Sequence, residues 1–340
     1  MEKLTMPKEL AIGQNVLEDG RIFFDDIGSY PLPKGARLEG LSSYQYLELV
    51  RKTLDQKISA GVEVATYPQF RDMIRMFLDP IEDPQLSLSP YLIRKEEAKI
   101  LELRAIGPLE KVRVCVTGPV ELYISAFGST GYADILFNLA TSVARFFENA
   151  KEAGVMAVAS LDEPSLGISS SIVFEEDDIL RALEIASSPC RSMDCEVHLH
   201  SPLYAEPCAK VGGISIVGIE SAAHPDYLRL IDRKILEETD TYLRAGIART
   251  DILAMAARLN EKLGINLWDN PARLEKEVLE MESVQAIKRR LELAHSKYGD
   301  RLRAVGPDCG LGSWPSESMA CKLLRNCAEA VRSFRKERAI

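Results

Sequence analysis

Eight short β-branched or apolar runs alternate with amphipathic segments of helical period along this chain, and few architectures satisfy that pattern. The runs are Ile22–Ser29, Val62–Tyr67, Val112–Thr117, Val155–Leu161, Glu196–His200, Ile214–Glu220, Tyr242–Arg249 and Leu302–Cys309. Between them, Tyr44–Ala60, Ala133–Ala153, Asp177–Ala186, Pro225–Glu237 and Glu317–Arg335 carry apolar residues at helical spacing. Strand alternating with helix calls for a parallel sheet covered by helices. Eight such units favour an α/β fold closed as a (β/α)8 TIM barrel over an open, doubly wound sheet.

Two stretches exceed a bare barrel. Asp72–Leu109 has a Pro-containing part and then a charged helical part around Glu96–Arg104. Leu263–Arg301 is charged, with helical spacing over Leu274–His295. Both read as helical insertions on barrel loops. No Ser/Gly linker interrupts the 340 residues, so one domain over 1–340 is expected.

Composition narrows the function. The net charge is -9 with no Lys/Arg-rich run, which argues against a nucleic-acid partner. No apolar stretch approaches the roughly 18 residues that span a bilayer, so no membrane role is expected. The opening MEKLTMPKEL lacks the apolar core of a signal peptide. The 7 cysteines are scattered and odd in number, as expected of reduced thiols in a cytoplasmic protein.

The chemistry concentrates at strand ends. Of 4 histidines, two stand at His198 and His200. On a strand this spacing points both imidazoles to one face. At the C-terminal end of a barrel strand, that face is the mouth. Glu220 ends the next strand after a mostly apolar run, awkward for a carboxylate unless it meets solvent or a metal. Cys309 ends the last strand, and Cys208 is a reserve ligand. Imidazole, thiolate and carboxylate are all zinc ligands, and four make a tetrahedral site. His198, His200, Glu220 and Cys309 are therefore the expected Zn2+ ligands. With one thiolate and one carboxylate, the site would stay near neutral and could take up and deprotonate a substrate thiol.

Six segments in order carry a family resemblance: Asp26–Pro31, Thr117–Val120, Leu161–Leu166, Val197–Ser201, Ile219–Ser221 and Gly306–Leu311. They resemble the IGSFP, TGPV, DEPAL, H-x-C, glutamate-ligand and NPDCGL segments of the catalytic half of cobalamin-independent methionine synthase. That family lies in the superfamily that includes uroporphyrinogen decarboxylase and the methylcobamide:coenzyme M methyltransferases. The resemblance implies that His198, Glu220 and Cys309 are metal ligands, with His200 in place of a cysteine. It implies that Asp162 binds the homocysteine amine, and that Ile27, Gly28 and Ser29 receive its carboxylate.

Departures bear on the substrate. Tyr67 or Gln69 occupies the place of the family's second amine-binding glutamate. The segment Gly246–Asp251 replaces the family's strand-seven histidine, leaving Asp251 beside Asp162 as a candidate catalytic residue. The tryptophan that follows TGPV in the family is absent, as is a counterpart of its N-terminal half. The resemblance thus leans toward the short homologues held to take methyl from a corrinoid protein. Imidazole in place of thiolate at His200 removes a negative charge, and a less nucleophilic thiolate calls for a more activated donor.

The favoured reading is a zinc-dependent S-methyltransferase with a small-molecule thiol acceptor, homocysteine first, in methionine biosynthesis. Coenzyme M or another small thiol is an alternative, with Arg71 or Arg249 pairing its acidic group. Transfer from a methylated substrate to a corrinoid protein is a second. A metal-free, uroporphyrinogen decarboxylase-like barrel is a third. Asp25 and Asp26 are expected in turn or helix-cap roles, Glu163 as a brace at the mouth, and His224 and His295 at the surface or on a helix.

Overall fold

The computed structural model describes residues 21–108 and 110–338. The opening decapeptide and Leu109, which ends the first expected insertion, lie outside them. Seven parallel strands form one sheet: β1 (Phe23–Phe24), β2 (Val112–Thr117), β3 (Met156–Asp162), β4 (Asp194–Leu199), β5 (Ile216–Ile219), β6 (Tyr242–Ala248) and β7 (Leu302–Pro307). Their order is β1-β7-β6-β5-β4-β3-β2. Every residue of β2, β3 and β5 is buried, as expected of a parallel sheet covered by helices.

The second expected strand, Val62–Tyr67, is not a regular strand. It meets β2 through a bridge from Thr66 to Arg113, and the residue after β1 through one from Val64 to Asp25. The Glu63 and Val64 N–H groups donate to Phe24 O, and Arg113 N–H donates to Ala65 O. The sheet therefore curls until both edge strands reach the same segment. Side chains do the rest of the holding. Thr66 N–H donates to Asp26 Oδ1 at 2.8 Å, and Lys57 places its ammonium 2.6 Å from Asp26 Oδ2. An N–H given to a carboxylate cannot also extend a ladder, which is why the periodic run yields bridges rather than a strand.

Helices cover the outside. Ser43–Ser59 begins at Ser42, whose side chain and that of Gln45 form a capping box. Ala133–Glu152 buries Leu136, Leu139, Val143, Phe146 and Phe147 against the sheet. Some helices escaped the periodicity reading, among them Pro119–Phe127 and Ile252–Leu263. Pro119–Phe127 opens on a proline, and Ile252–Leu263 stops at Gly264, whose φ of +65° suits glycine. Pro225–Glu237 breaks into Tyr227–Leu230 and Arg233–Glu238. The first insertion holds the helix Arg75–Glu82 and a hairpin of Ser87–Ser89 with Leu92–Ile93. Its charged part forms only short 3-10 turns, Lys95–Glu97 and Leu101–Ala105. The second insertion forms Pro271–Met281 and Val284–Tyr298. They part at the buried Glu282, which accepts from Arg290 Nη1 and Nη2 at 2.5 and 2.9 Å and from Arg249 N–H at 3.1 Å. No helix among the described residues is long and apolar enough to cross a membrane.

Candidate metal centre

His198 lies within β4, His200 just beyond it, Glu220 just past β5 and Cys309 two residues past β7. One ligand atom from each falls within 4.8 Å of all the others. His200 Nε2 stands 3.3 Å from Glu220 Oε1 and 3.5 Å from Cys309 Sγ. The two imidazoles meet edge to face, 5.3 Å between centroids. His198 is buried, and neither of its ring nitrogens has a hydrogen-bond partner. An imidazole in that condition loses its water without replacement unless something else takes its lone pair.

The electrostatics match cation ligation. Burial lowers the His198 pKa well below its ordinary value, helped by His200, Arg244 and Arg113. Burial lowers that of His200 to about 4. Both rings are therefore neutral at physiological pH, the form that ligates. Burial and the nearby Asp308 push Glu220 up to about 8, and burial with Glu220 pushes the Cys309 thiol up. A divalent cation reverses both shifts by favouring the deprotonated groups. Two nitrogens, one sulfur and one carboxylate suit zinc, and the cluster fits it.

A cavity of about 730 Å³ opens beside the cluster, its wall including His198, His200, Cys309 and Asp162. Asp162 ends β3 directly opposite His198 in the register. It accepts from Ser160 Oγ at 2.8 Å, and burial raises its pKa. Ile27 and Ser29 also line the wall; Gly28 stands between them, where a Cβ would lie 1.9 Å from Gln69 Oε1. Gln69 reaches the cavity, whereas Tyr67 is wholly buried and donates its hydroxyl to Cys115 O at 2.6 Å. Arg71 lines the wall with Nε and Nη2 both donating to the buried Glu102 at 2.8 Å. Arg249 and Asp251 stand off the wall, paired with each other at 2.9 and 2.5 Å. Cys208 is buried in the short helix Ala205–Ala209, outside the cluster. His224 is exposed and stacked on Tyr227, and His295 lies on the helix Val284–Tyr298.

Asp25 and Asp26 do not cap helices. Asp25 is wholly buried, 2.6 Å from Arg113 Nη1 and 2.8 Å from Arg244 Nε, while Asp26 takes Lys57. Glu163 does cap one: its two oxygens accept from Val120 and Glu121 N–H at 2.9 and 2.8 Å. Arg113, Glu196 and Arg244 escaped the sequence reading. The available signal was a charged residue inside an otherwise apolar run, as in Val112-Arg113-Val114.

Burial raises Glu163 to about 8 from 4.5 in spite of its two backbone donors. Between those values the folded chain holds a proton that the unfolded chain has released. Stability is therefore expected to fall as pH rises from 4.5 to 8, by up to about 1.4 kcal/mol per pH unit from this group. Glu163→Gln should flatten that slope in urea titrations at pH 5, 6.5 and 8. An unchanged slope would assign it to other groups.

No protein-family model and no curated protein matches the chain. Among solved structures it is similar to a B12-independent methionine synthase from Shewanella sp. W3-18-1 in complex with selenomethionine. That likeness has a TM-score of 0.59 at 14% identity, over 93% of this chain and 99% of that one. The chain is also similar to GH5_18 from Streptomyces cattleya in complex with GlcNAc, with a TM-score of 0.53 at 11% identity, over 93% and 81%. Likeness at such identities is one of fold, and it sets the curled α/β sheet among folds of the TIM-barrel type.

Proposed function

We propose that the chain is a complete (β/α)8 barrel, with Val62–Tyr67 as its eighth stave, and a zinc-dependent methyltransferase acting on a small thiol. The observation that carries the reading is the convergence of four ligand atoms within 4.8 Å beside an open cavity. Bound there, zinc would hold the acceptor thiol as thiolate, the form that attacks an activated methyl group.

The protein's own groups would do the rest. Neutral His198 and His200 add no charge, so Glu220 and Cys309 balance the cation. Asp162, beside His198 on the wall, is placed to receive an ammonium group, and Ile27, Gly28 and Ser29 a carboxylate. Homocysteine carries both, and it is the favoured acceptor. Arg71 on the wall supports a second reading, a thiol with an acidic group such as coenzyme M. The similar methionine synthase of Shewanella bound selenomethionine, a product-like amino acid, and its fold likeness here favours the first. For the donor we favour a methyl-corrinoid protein, because imidazole at position 200 leaves the site less electron-rich than a second thiolate would.

Protein purified without added metal should carry about one zinc per chain, the single-site stoichiometry that four ligands imply. It should methylate homocysteine from methylcobalamin faster than it does coenzyme M. Absence of stoichiometric metal would sink the reading. A preference for coenzyme M would move the acceptor to the acidic-thiol class.

A further inference from the structure

We infer that Glu196 is a positioning residue for His198, fixing which ring nitrogen faces the metal; the inference rests on the zinc reading above. Glu196 and His198 stand two apart on β4. His198 Nδ1 lies 3.9 Å from Glu196 Oε1, with both side chains buried. Neither atom has another partner. They are two unsatisfied groups facing each other, one able to donate and the other only to accept. A proton on Nδ1 satisfies both with a small closing movement, and it leaves the Nε2 lone pair for the cation. Such carboxylate–histidine–metal arrangements set the tautomer and the ring orientation.

Glu196 is itself held. Its Oε2 accepts from Arg113 Nη1 at 2.5 Å, and Arg244 Nε lies 3.9 Å away. The same Arg113 binds Asp25, and it donates through Nη2 to Ser160 Oγ, which donates to Asp162. Two arginines and two acids, all wholly buried, thus form a neutral quartet beneath the metal cluster. The neighbouring strand makes room for it: a Cβ on Gly218 would stand 2.0 Å from Glu196 Oε1. That glycine is needed because the carboxylate occupies the space a side chain would fill.

The geometry dictates the informative substitution. In Glu196→Gln, Arg113 demands an acceptor, so the amide oxygen faces Arg113 and the amide NH2 faces His198. The NH2 can only donate to Nδ1, which moves the ring proton to Nε2 and blocks ligation there. Zinc affinity, measured by competition with a chromophoric chelator, is expected to fall about 10- to 100-fold. The cobalt(II) form should lose tetrahedral d–d intensity at equal loading. A Glu196→Gln protein that binds zinc within twofold of the wild type, with an unchanged cobalt spectrum, overturns the inference alone. A wild type that binds no zinc overturns the parent reading, and the inference falls with it. If the variant does not fold, nitrogen-15 histidine spectra of the zinc-loaded wild type decide. Ligation through Nε2 with a protonated Nδ1 supports the assignment, and ligation through Nδ1 overturns it.

Discussion

Cys309→Ala is expected to lower zinc affinity by about 100- to 1,000-fold, since four ligands share a binding free energy on the order of 10–16 kcal/mol. Cys309 is the only sulfur in the cluster. Its loss leaves two neutral imidazoles and one carboxylate, and a site with net positive charge when metal enters. The substitution falls past the end of β7, at a partly exposed position. The fold should therefore persist, with the unfolding midpoint of the metal-free protein nearly unchanged. Zinc should raise the midpoint of the wild type much more than that of the variant, because a ligand that binds only the folded state stabilises it. Methyl transfer should fall in step with zinc content. Equal zinc affinity in wild type and variant would remove Cys309 from the ligand set.

Arg113→Met should be strongly destabilising. The guanidinium is wholly buried and serves Asp25, Glu196 and Ser160 together. Removing it strands two carboxylates with Arg244 as their remaining cation, and breaking a buried pair in this way costs about 3–5 kcal/mol. Urea unfolding should show that loss as a lower midpoint with little change in slope. A cost below about 1 kcal/mol would mean that water or protonation already relieves the two acids, and that the quartet is not a structural unit. Because Arg113 also holds Glu196, zinc affinity should drop in this variant even where it remains folded.

The cluster of His198, His200, Glu220 and Cys309 was legible in the sequence because each member breaks a local rule. His198 and His200 repeat at the strand period, and Glu220 and Cys309 close apolar runs, so all four fall where strand ends converge. Asp162 broke no such rule and was singled out only through the resemblance of Leu161–Leu166 to a known segment. Tyr67 and Gln69 could not be told apart, since their difference is one of direction. Tyr67 turns inward to Cys115 O, and Gln69 reaches the cavity. Arg249 and Asp251 satisfy each other off the wall, a pairing that a two-residue spacing permits but does not require.

Local pattern alone determined the order of strands and most helices, because hydrophobic period is written residue by residue. It also determined which side chains reach the strand ends. Only the curled sheet decided that Asp25, Arg113, Glu196 and Arg244, up to 219 residues apart, become one neutral group. It also decided that Val62–Tyr67 bridges two edges without forming a ladder. Those outcomes depend on how charges from distant strands neutralise one another in the buried interior, and no window of sequence contains that sum.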